Sequence, residues 1–229
     1  MPRQVSRVIE EYLESIYRLQ ERDGAARTGE LVKLLKVAPG TITNTVERLE
    51  KEGLVTHEPY KGVKLTEEGL KIALQVIRRH RLSERLLTDL LKVDWDKVHN
   101  AACRLEHCIT DDIILNLEKA LGHPLTCPHG HPIPTKCGAI IEEESILLEE
   151  LEPQEEGEVA KIMDEDPELL RYLLKLSLTP GVHLRVLEKT PYEGPVTVEI
   201  NGKTYAISRK VAALVKVRRT IKSRIKVRS

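Results

Sequence analysis

The order of breaks and periodic runs in residues 28–66 leaves few folds open. Thr28 can cap a short helix through Lys36, and VAPG then interrupts it. TITNTVERLEKEG resumes a helix that Gly53 stops, and LVTHEPYKGVKLT alternates as two short strands around Pro59 to Gly62. Ahead of this block, Val8, Ile9, Tyr12, Leu13, Ile16 and Tyr17 make one apolar face of an opening helix, with Glu10, Glu11 and Glu14 beside it. After it, Thr66 caps a further helix, and Glu67 and Glu68 in its first turn favour the macrodipole. Helix, helix, turn, helix, hairpin is the winged helix-turn-helix order, in which the helix after the turn enters the DNA major groove.

The faces of that helix follow from its pitch. Ile42, Val46 and Leu49 lie on one side and turn Thr41, Asn44, Arg48 and Lys51 outward. Asn pairs bidentately with adenine, Thr meets a thymine methyl or a phosphate, and Arg or Lys neutralises phosphate. Thr41, Thr43, Asn44, Arg48 and Lys51 are therefore the candidate DNA-binding residues, with Lys61 and Lys64 on the wing as backbone contacts. Glu47 points the same way and would repel DNA at close range. Thirty-six basic residues balance thirty-six acidic ones, so any DNA contact has to be local rather than global.

From Thr66 to about Leu121 three helical segments follow, TEEGLKIALQVIRRHRLSERLLTDLLK, VDWDKVHNAACRLEHCI and TDDIILNLEKALG. Their apolar faces exceed what a small helical unit covers alone, which implies pairing with a second subunit. A proline-rich loop, HPLTCPHGHPIPTKCG, leads into the acidic IEEESILLEELEPQEEGE. Beyond it, DPELLRYLLKLSLTPG reads as a helix and HLRVLEK, VTVEI and TYAIS as strands, with Asn201-Gly202 as a hairpin turn. The expectation is a mainly α chain with small β elements: a winged helix-turn-helix at 1–72, a helical dimerisation domain at 73–140, an acidic linker at 141–157 and a C-terminal SH3-like β-barrel at 158–229. The basic run KVRRTIKSRIKVRS reads as a last strand with a charged face rather than a DNA-binding tail.

Chemistry concentrates in AACRLEHCITDD. Cys103, Glu106 and His107 stand three and four residues apart, one above another on a helix, with His99 one turn earlier; on the preceding helix His80 and Glu84 are also four apart. A thiol, a carboxylate and an imidazole on one stripe are a metal-ligand set. The rival reading is an enzyme, with Cys103 and His107 as thiol and base, but no residues supply an oxyanion hole or substrate pocket. Cys127, His129, His131 and Cys137 do not have the spacing of a zinc ribbon or finger. The chain has no apolar run long enough to span a bilayer and no apolar core of a secretion signal near Met1, and its four cysteines suit a reducing compartment, so a cytoplasmic protein is expected.

RRHRLSERLLTDLL, WDKVHNAACRLEHCITDD and CPHGHPIP together resemble the diphtheria-toxin-repressor family of iron- and manganese-dependent regulators, and LLRYLLKLSLTPG looks like the ferrous-transport A module. The resemblance covers the winged helix, the helical domain and the SH3-like domain. It implies a primary metal site of Glu11, Cys103, Glu106 and His107, and an ancillary site of His80, Glu84 and His99 with Glu165 and Glu168 from the third domain. It also implies a homodimer on a palindromic operator, and CPHGHPIP as a structural connection. Glu11 departs from the methionine of the iron branch and the aspartate of the manganese branch, and Glu14 matches a further carboxylate of the latter. The Cys103 thiolate suits Fe(II) better than Mn(II), with Co(II), Ni(II) or Zn(II) as substitutes in vitro, whereas Glu11 pulls toward harder ions; Fe(II) is the favoured effector and Mn(II) the alternative.

Overall fold

The structure, a computed structural model, describes residues 5–58 and 60–220. The chain divides into two compact units. The first comprises Met1–Ser83, Cys103–Leu117 and Ile133–Ile140. Its opening helix α1, Arg7–Asp23, starts where the Ser6 hydroxyl accepts from the Ile9 amide and stops at Gly24, whose φ of 79° is left-handed. Helix α2 is Thr28–Leu35, and α3, Pro39–Lys51, begins on a proline whose missing amide costs nothing at that position. Strands β1, Val55–Glu58, and β2, Gly62–Leu65, pair antiparallel as the wing, with Val55 opposite Leu65 and Glu58 opposite Gly62. Thr66 caps α4, Glu67–Arg85, through its hydroxyl and the Gly69 amide.

The buried faces follow the expected periodicity except on α1, where Val8 is left in solvent and Glu14, expected beside the apolar face, is buried. Leu13, Ile16, Leu31, Ile42, Leu49, Leu54 and Ile77 are sealed in one core, so α1, α2, α3 and the wing share a single apolar interior. Each full burial contributes roughly 1.5–3 kcal/mol. Thr41, Thr43, Asn44, Arg48 and Lys51 are exposed on α3, and Lys64 is exposed on the wing. Lys61 is also exposed, with its ammonium 2.7 Å from the Glu58 carboxylate.

Two expectations for the middle segments change. The helix read through Ile109 is shorter: α5 is Val98–Leu105, and Glu106–Cys108 tightens into a 3-10 turn before α6, Asp111–Ala120. The long helix ending near Lys92 also divides, because α4 gives way to a π-helical turn at Leu86–Leu90.

The second unit comprises Glu84–Ala102, Glu118–Pro132 and Ile141–Ser229. Its six-stranded sheet contains β3 (Ile146–Leu147), β4 (Glu156–Ile162), β5 (His183–Lys189), β6 (Val196–Ile200), β7 (Lys203–Ile207) and β8 (Val215–Arg219). The strand order is β3-β8-β4-β5-β6-β7 with every pair antiparallel. Asn201 and Gly202, both at positive φ, make the β6–β7 hairpin. Helix α7, Pro167–Lys175, is capped by the Asp166 carboxylate, which accepts from the Glu168 and Leu169 amides, and α8 is Arg209–Ala212.

The acidic segment expected as a linker at 141–157 is largely part of this unit. Leu148 and Leu151 are fully buried in its core, and β3 and the start of β4 lie within the segment. Its leucines decide its placement, while its glutamates line the outside. The basic run forms a strand through Arg219, as expected; residues 221–229 lie outside the described residues. Among the described residues no helix is long and apolar enough to cross a membrane.

Candidate metal centre

In the first unit, donors from three elements meet. Glu14 of α1, His80 of α4 and Glu106 of the 3-10 turn are all buried, and their ligand atoms lie within 4.8 Å of one another. His80 Nδ1 is 2.5 Å from Glu106 Oε2, and the Cys103 sulfur is 4.0 Å from His80 Nδ1. The 3-10 tightening turns Glu106 inward to 2% exposure. Burial pushes the Glu106 carboxyl up from its ordinary value, with Glu14 adding to the shift and His80 opposing it. Burial pushes Glu14 the same way, but the Arg18 guanidinium, 2.8 Å from its carboxylate, prevails and holds it low.

His107 stands beside this cluster. Its Nδ1 donates to Glu10 Oε2 at 2.8 Å, while Nε2 faces Glu106 Oε1 at 3.1 Å and Glu11 Oε1 at 3.8 Å. The other Glu10 oxygen accepts from Arg79 at 2.5 Å. Glu10 thus fixes the ring so that Nε2 is the nitrogen aimed among the carboxylates, the relation by which an outer carboxylate orients a histidine ligand. Periodicity alone passed over Glu10; of the neighbours, Glu11 is the more exposed and is paired with Arg7 at 2.9 Å.

A second set of donors lies wholly in the second unit. Glu84, Cys127, His129 and Glu165 place their ligand atoms within 4.8 Å of one another. Glu84, His129 and Cys127 are 0%, 0% and 1% exposed. His129 Nδ1 makes no hydrogen bond and points at Glu84 Oε1, 3.4 Å away, and Glu165 Oε1, 3.6 Å away. Burial pulls the His129 pKa down, but Glu84 and Glu165 outweigh it and leave the value raised. The other Glu165 oxygen is 2.5 Å from His99 Nδ1, and His131 Nε2 lies 3.7 Å from Oε1.

The CPHGH turn exists because of Gly130. At φ 90° its backbone packs so close to β4 that a Cβ would sit 2.0 Å from the Ala160 carbonyl oxygen. The His129 carbonyl accepts from the Ile162 amide at 3.0 Å, and the Cys127 amide donates to His131 at 2.8 Å. Cys127 and His129 of CPHGHPIP, expected as a structural connection, face the carboxylates of Glu84 and Glu165. Cys137 separates from them: it is exposed, belongs to the first unit and lies 3.6 Å from the Thr135 hydroxyl. Of the third-domain carboxylates, Glu165 joins the donors, whereas Glu168 is exposed on α7. Of the expected ancillary set, His80 bonds Glu106 within the first unit, and Glu84, His99 and Glu165 stand together within the second, with His99 Nδ1 3.6 Å from Glu84 Oε1.

Both sets fit a first-row divalent cation by donor chemistry: each offers carboxylate and imidazole with a sulfur at or beside it, and a buried ring nitrogen of the second aims at the common point unbonded. Residues 4–63 match the iron dependent repressor N-terminal DNA binding domain and 66–135 the iron dependent repressor metal binding and dimerisation domain, while 146–219 match the FeoA domain. A solved manganese-dependent transcriptional repressor in complex with manganese is 32% identical, with a TM-score of 0.85 over 93% of this chain and 100% of that one. The chain belongs to the diphtheria-toxin-repressor family.

The iron-dependent repressor IdeR of Mycobacterium tuberculosis is 39% identical over 125 residues, 55% of this chain and 54% of that protein. The diphtheria toxin repressor of Corynebacterium jeikeium is 40% identical over 125 residues, covering 55% and 52%. This chain spans about half the length of those curated relatives. The crystal structure of T. acidophilum IdeR aligns with a TM-score of 0.80 at 25% identity, over 95% of this chain and 100% of that one. The three-part order expected from the resemblance, winged helix, dimerisation domain and FeoA-like SH3 domain, is the family's order here.

Proposed function

We propose that this chain is a metal-dependent transcriptional repressor, not an enzyme, that binds a palindromic operator as a homodimer, with Fe(II) as the favoured effector. One observation carries the reading: α1, whose apolar face is sealed into the core of the DNA-reading head, presents Glu10, Glu11 and Glu14 on its other side to the Cys103–His107 segment. A bound divalent cation supplies positive charge among donors that otherwise repel one another. Glu11, Cys103, Glu106 and His107, with Glu14 and His80 beside them, hold it in the first unit. Glu84, Cys127, His129 and Glu165, with His99 on the far oxygen of Glu165, hold it in the second.

The α3 residues Thr41, Thr43, Asn44, Arg48 and Lys51 form the DNA-facing surface, and Asn44 is the base reader because it is exposed opposite the buried Ile42, Val46 and Leu49. Dimerisation is supported by apolar residues left in solvent: Ile113 and Leu115 on α6 in the first unit, and Leu90 and Leu91 in the second. The target genes on this reading concern metal uptake or storage, and the protein works in the cytoplasm.

Mn(II) is favoured by one specific feature, the buried Glu14, His80 and Glu106 group, which has only hard and borderline donors. The Cys103 and Cys127 thiolates favour Fe(II). Anaerobic titration with each ion, followed by operator binding in fluorescence anisotropy and by sedimentation, tests the whole reading. Tighter operator binding with Fe(II) than with Mn(II) is expected, from a dimer. Operator binding that ignores both ions would refute it.

A further inference from the structure

We propose that Trp95 is the positioning residue of the second unit's centre, holding His129 so that Nδ1 alone is presented to a cation. This rests on the reading of Glu84, Cys127, His129 and Glu165 as metal ligands. Trp95 precedes α5 and grips the CPHGH turn at three points. Its indole Nε1 donates to the Pro128 carbonyl oxygen at 3.0 Å, and its own carbonyl oxygen accepts from His129 Nε2 at 3.1 Å. Its ring lies against the imidazole, with centroids 4.9 Å apart and planes tilted by 52°.

A carbonyl oxygen only accepts, so the bond to it fixes the proton on His129 Nε2. Nδ1 is then the lone-pair nitrogen, already turned toward Glu84 and Glu165. The indole lying against the imidazole blocks the rotation that would exchange the two nitrogens. The grip has an anchor, because Trp95 is partly buried against the apolar core of the sheet. Trp95 carries no ligand atom of its own; it acts through His129, as outer partners of metal-bound imidazoles do.

Trp95 is the chain's single tryptophan, so replacing tryptophan by its benzothiophene analogue alters this residue alone and exchanges the N–H for sulfur without changing the ring's outline. The experiment is an anaerobic Co(II) titration of the full chain in a Cys103→Ser background, where the thiolate-to-metal charge-transfer band reports on Cys127. The analogue and Trp95→Phe should each lower Co(II) affinity roughly 10-fold, and Trp95→Ala up to about 100-fold. The His129 ring nitrogen shifts in NMR should move from a single Nε2–H tautomer to a mixture. In a His129→Ala background, Trp95→Phe should cost nothing further, because its effect passes through that ring.

Affinity and tautomer unchanged in both the analogue and Trp95→Phe would overturn the proposal. So would a loss that persists in full without His129, which would make Trp95 a packing residue only. Failure of the metal reading looks different: His129→Ala would then leave the Co(II) affinity and the charge-transfer band as they were, and the role of Trp95 would fall with it.

Discussion

Replacing Glu10 by Gln separates orientation of a ligand from ligation. Glu10 uses one oxygen for Arg79 at 2.5 Å and the other for His107 Nδ1 at 2.8 Å. In the Gln variant the amide oxygen can keep Arg79, which forces the NH2 group toward His107. An NH2 group only donates, so Nδ1 must become the acceptor and the proton moves to Nε2, the nitrogen that faces Glu106 at 3.1 Å. A cation then has to displace that proton. Loss of an outer-shell partner of this kind costs roughly 10- to 100-fold in metal affinity, or about 1.4 to 2.8 kcal/mol. At the metal concentration that half-fills the wild-type site, a tenfold loss leaves about one site in eleven filled. Operator anisotropy against Fe(II) concentration should therefore show a midpoint moved upward by that factor and an unchanged plateau. Glu11→Gln should do the reverse, keeping most of the metal affinity of Cys103, Glu106 and His107 but lowering the plateau, because the carboxylate of the opening helix is missing from the ligand set. Wild-type affinity should rise roughly 5- to 150-fold on saturation, the usual range of coupling. A Glu10→Gln curve that overlays the wild type would refute the orienting role, and a Glu11→Gln plateau at full height would make Glu11 a solvated partner of Arg7 and nothing more.

Other substitutions probe the remaining assignments. Asn44→Ala should weaken operator binding by roughly 1 to 3 kcal/mol and leave random duplex nearly untouched; equal losses on both would assign Asn44 to the backbone. Cys103→Glu should move preference from Fe(II) toward Mn(II), read from competitive anaerobic titrations, since a hard donor replaces a soft one; an unchanged affinity ratio would remove Cys103 from the ligand set. Gly130→Ala should destabilise the second unit by roughly 2 to 5 kcal/mol, combining a left-handed backbone with a Cβ driven into β4. Urea unfolding measures it, and a variant as stable as wild type would mean that the turn can leave β4 freely.

The DNA-reading head was legible because its signals are local. Pro39 and Gly53 bound α3, and the pitch of Ile42, Val46 and Leu49 alone decides which side faces out. The centres were legible only in part. Glu10 and Glu11 are consecutive on a helix edge, and pitch cannot say which of them bonds His107; Glu10 does, at 2.8 Å, while Glu11 stands 3.8 Å away. Cys127 and His129 sit in a turn with no period, and their partner Glu84 is more than forty residues away, so no spacing rule relates them. What the sequence did offer was Gly130 between two histidines, the residue that lets the turn reach β4. The acidic linker failed for another reason: its glutamates dominated the composition, while two leucines sealed in the core determined the fold.

On the proposed reading, the two donor sets solve one problem with different chemistry. Each needs an imidazole whose free nitrogen is settled before a cation arrives, so that binding does not have to order it. In the first unit the orienting group is the Glu10 side chain, itself held by Arg79; its charge adds to the basicity of His107, and one substitution removes it. In the second unit the orienting group is a main-chain carbonyl, which carries no formal charge and which no substitution deletes. A side chain can only re-aim that carbonyl, and the residue placed to do so is the one whose indole is anchored to the neighbouring Pro128 carbonyl and to the core of the sheet. The two imidazoles should therefore respond differently to mutation: His107 abruptly and through charge, His129 gradually and through the mobility of the ring that lies against it.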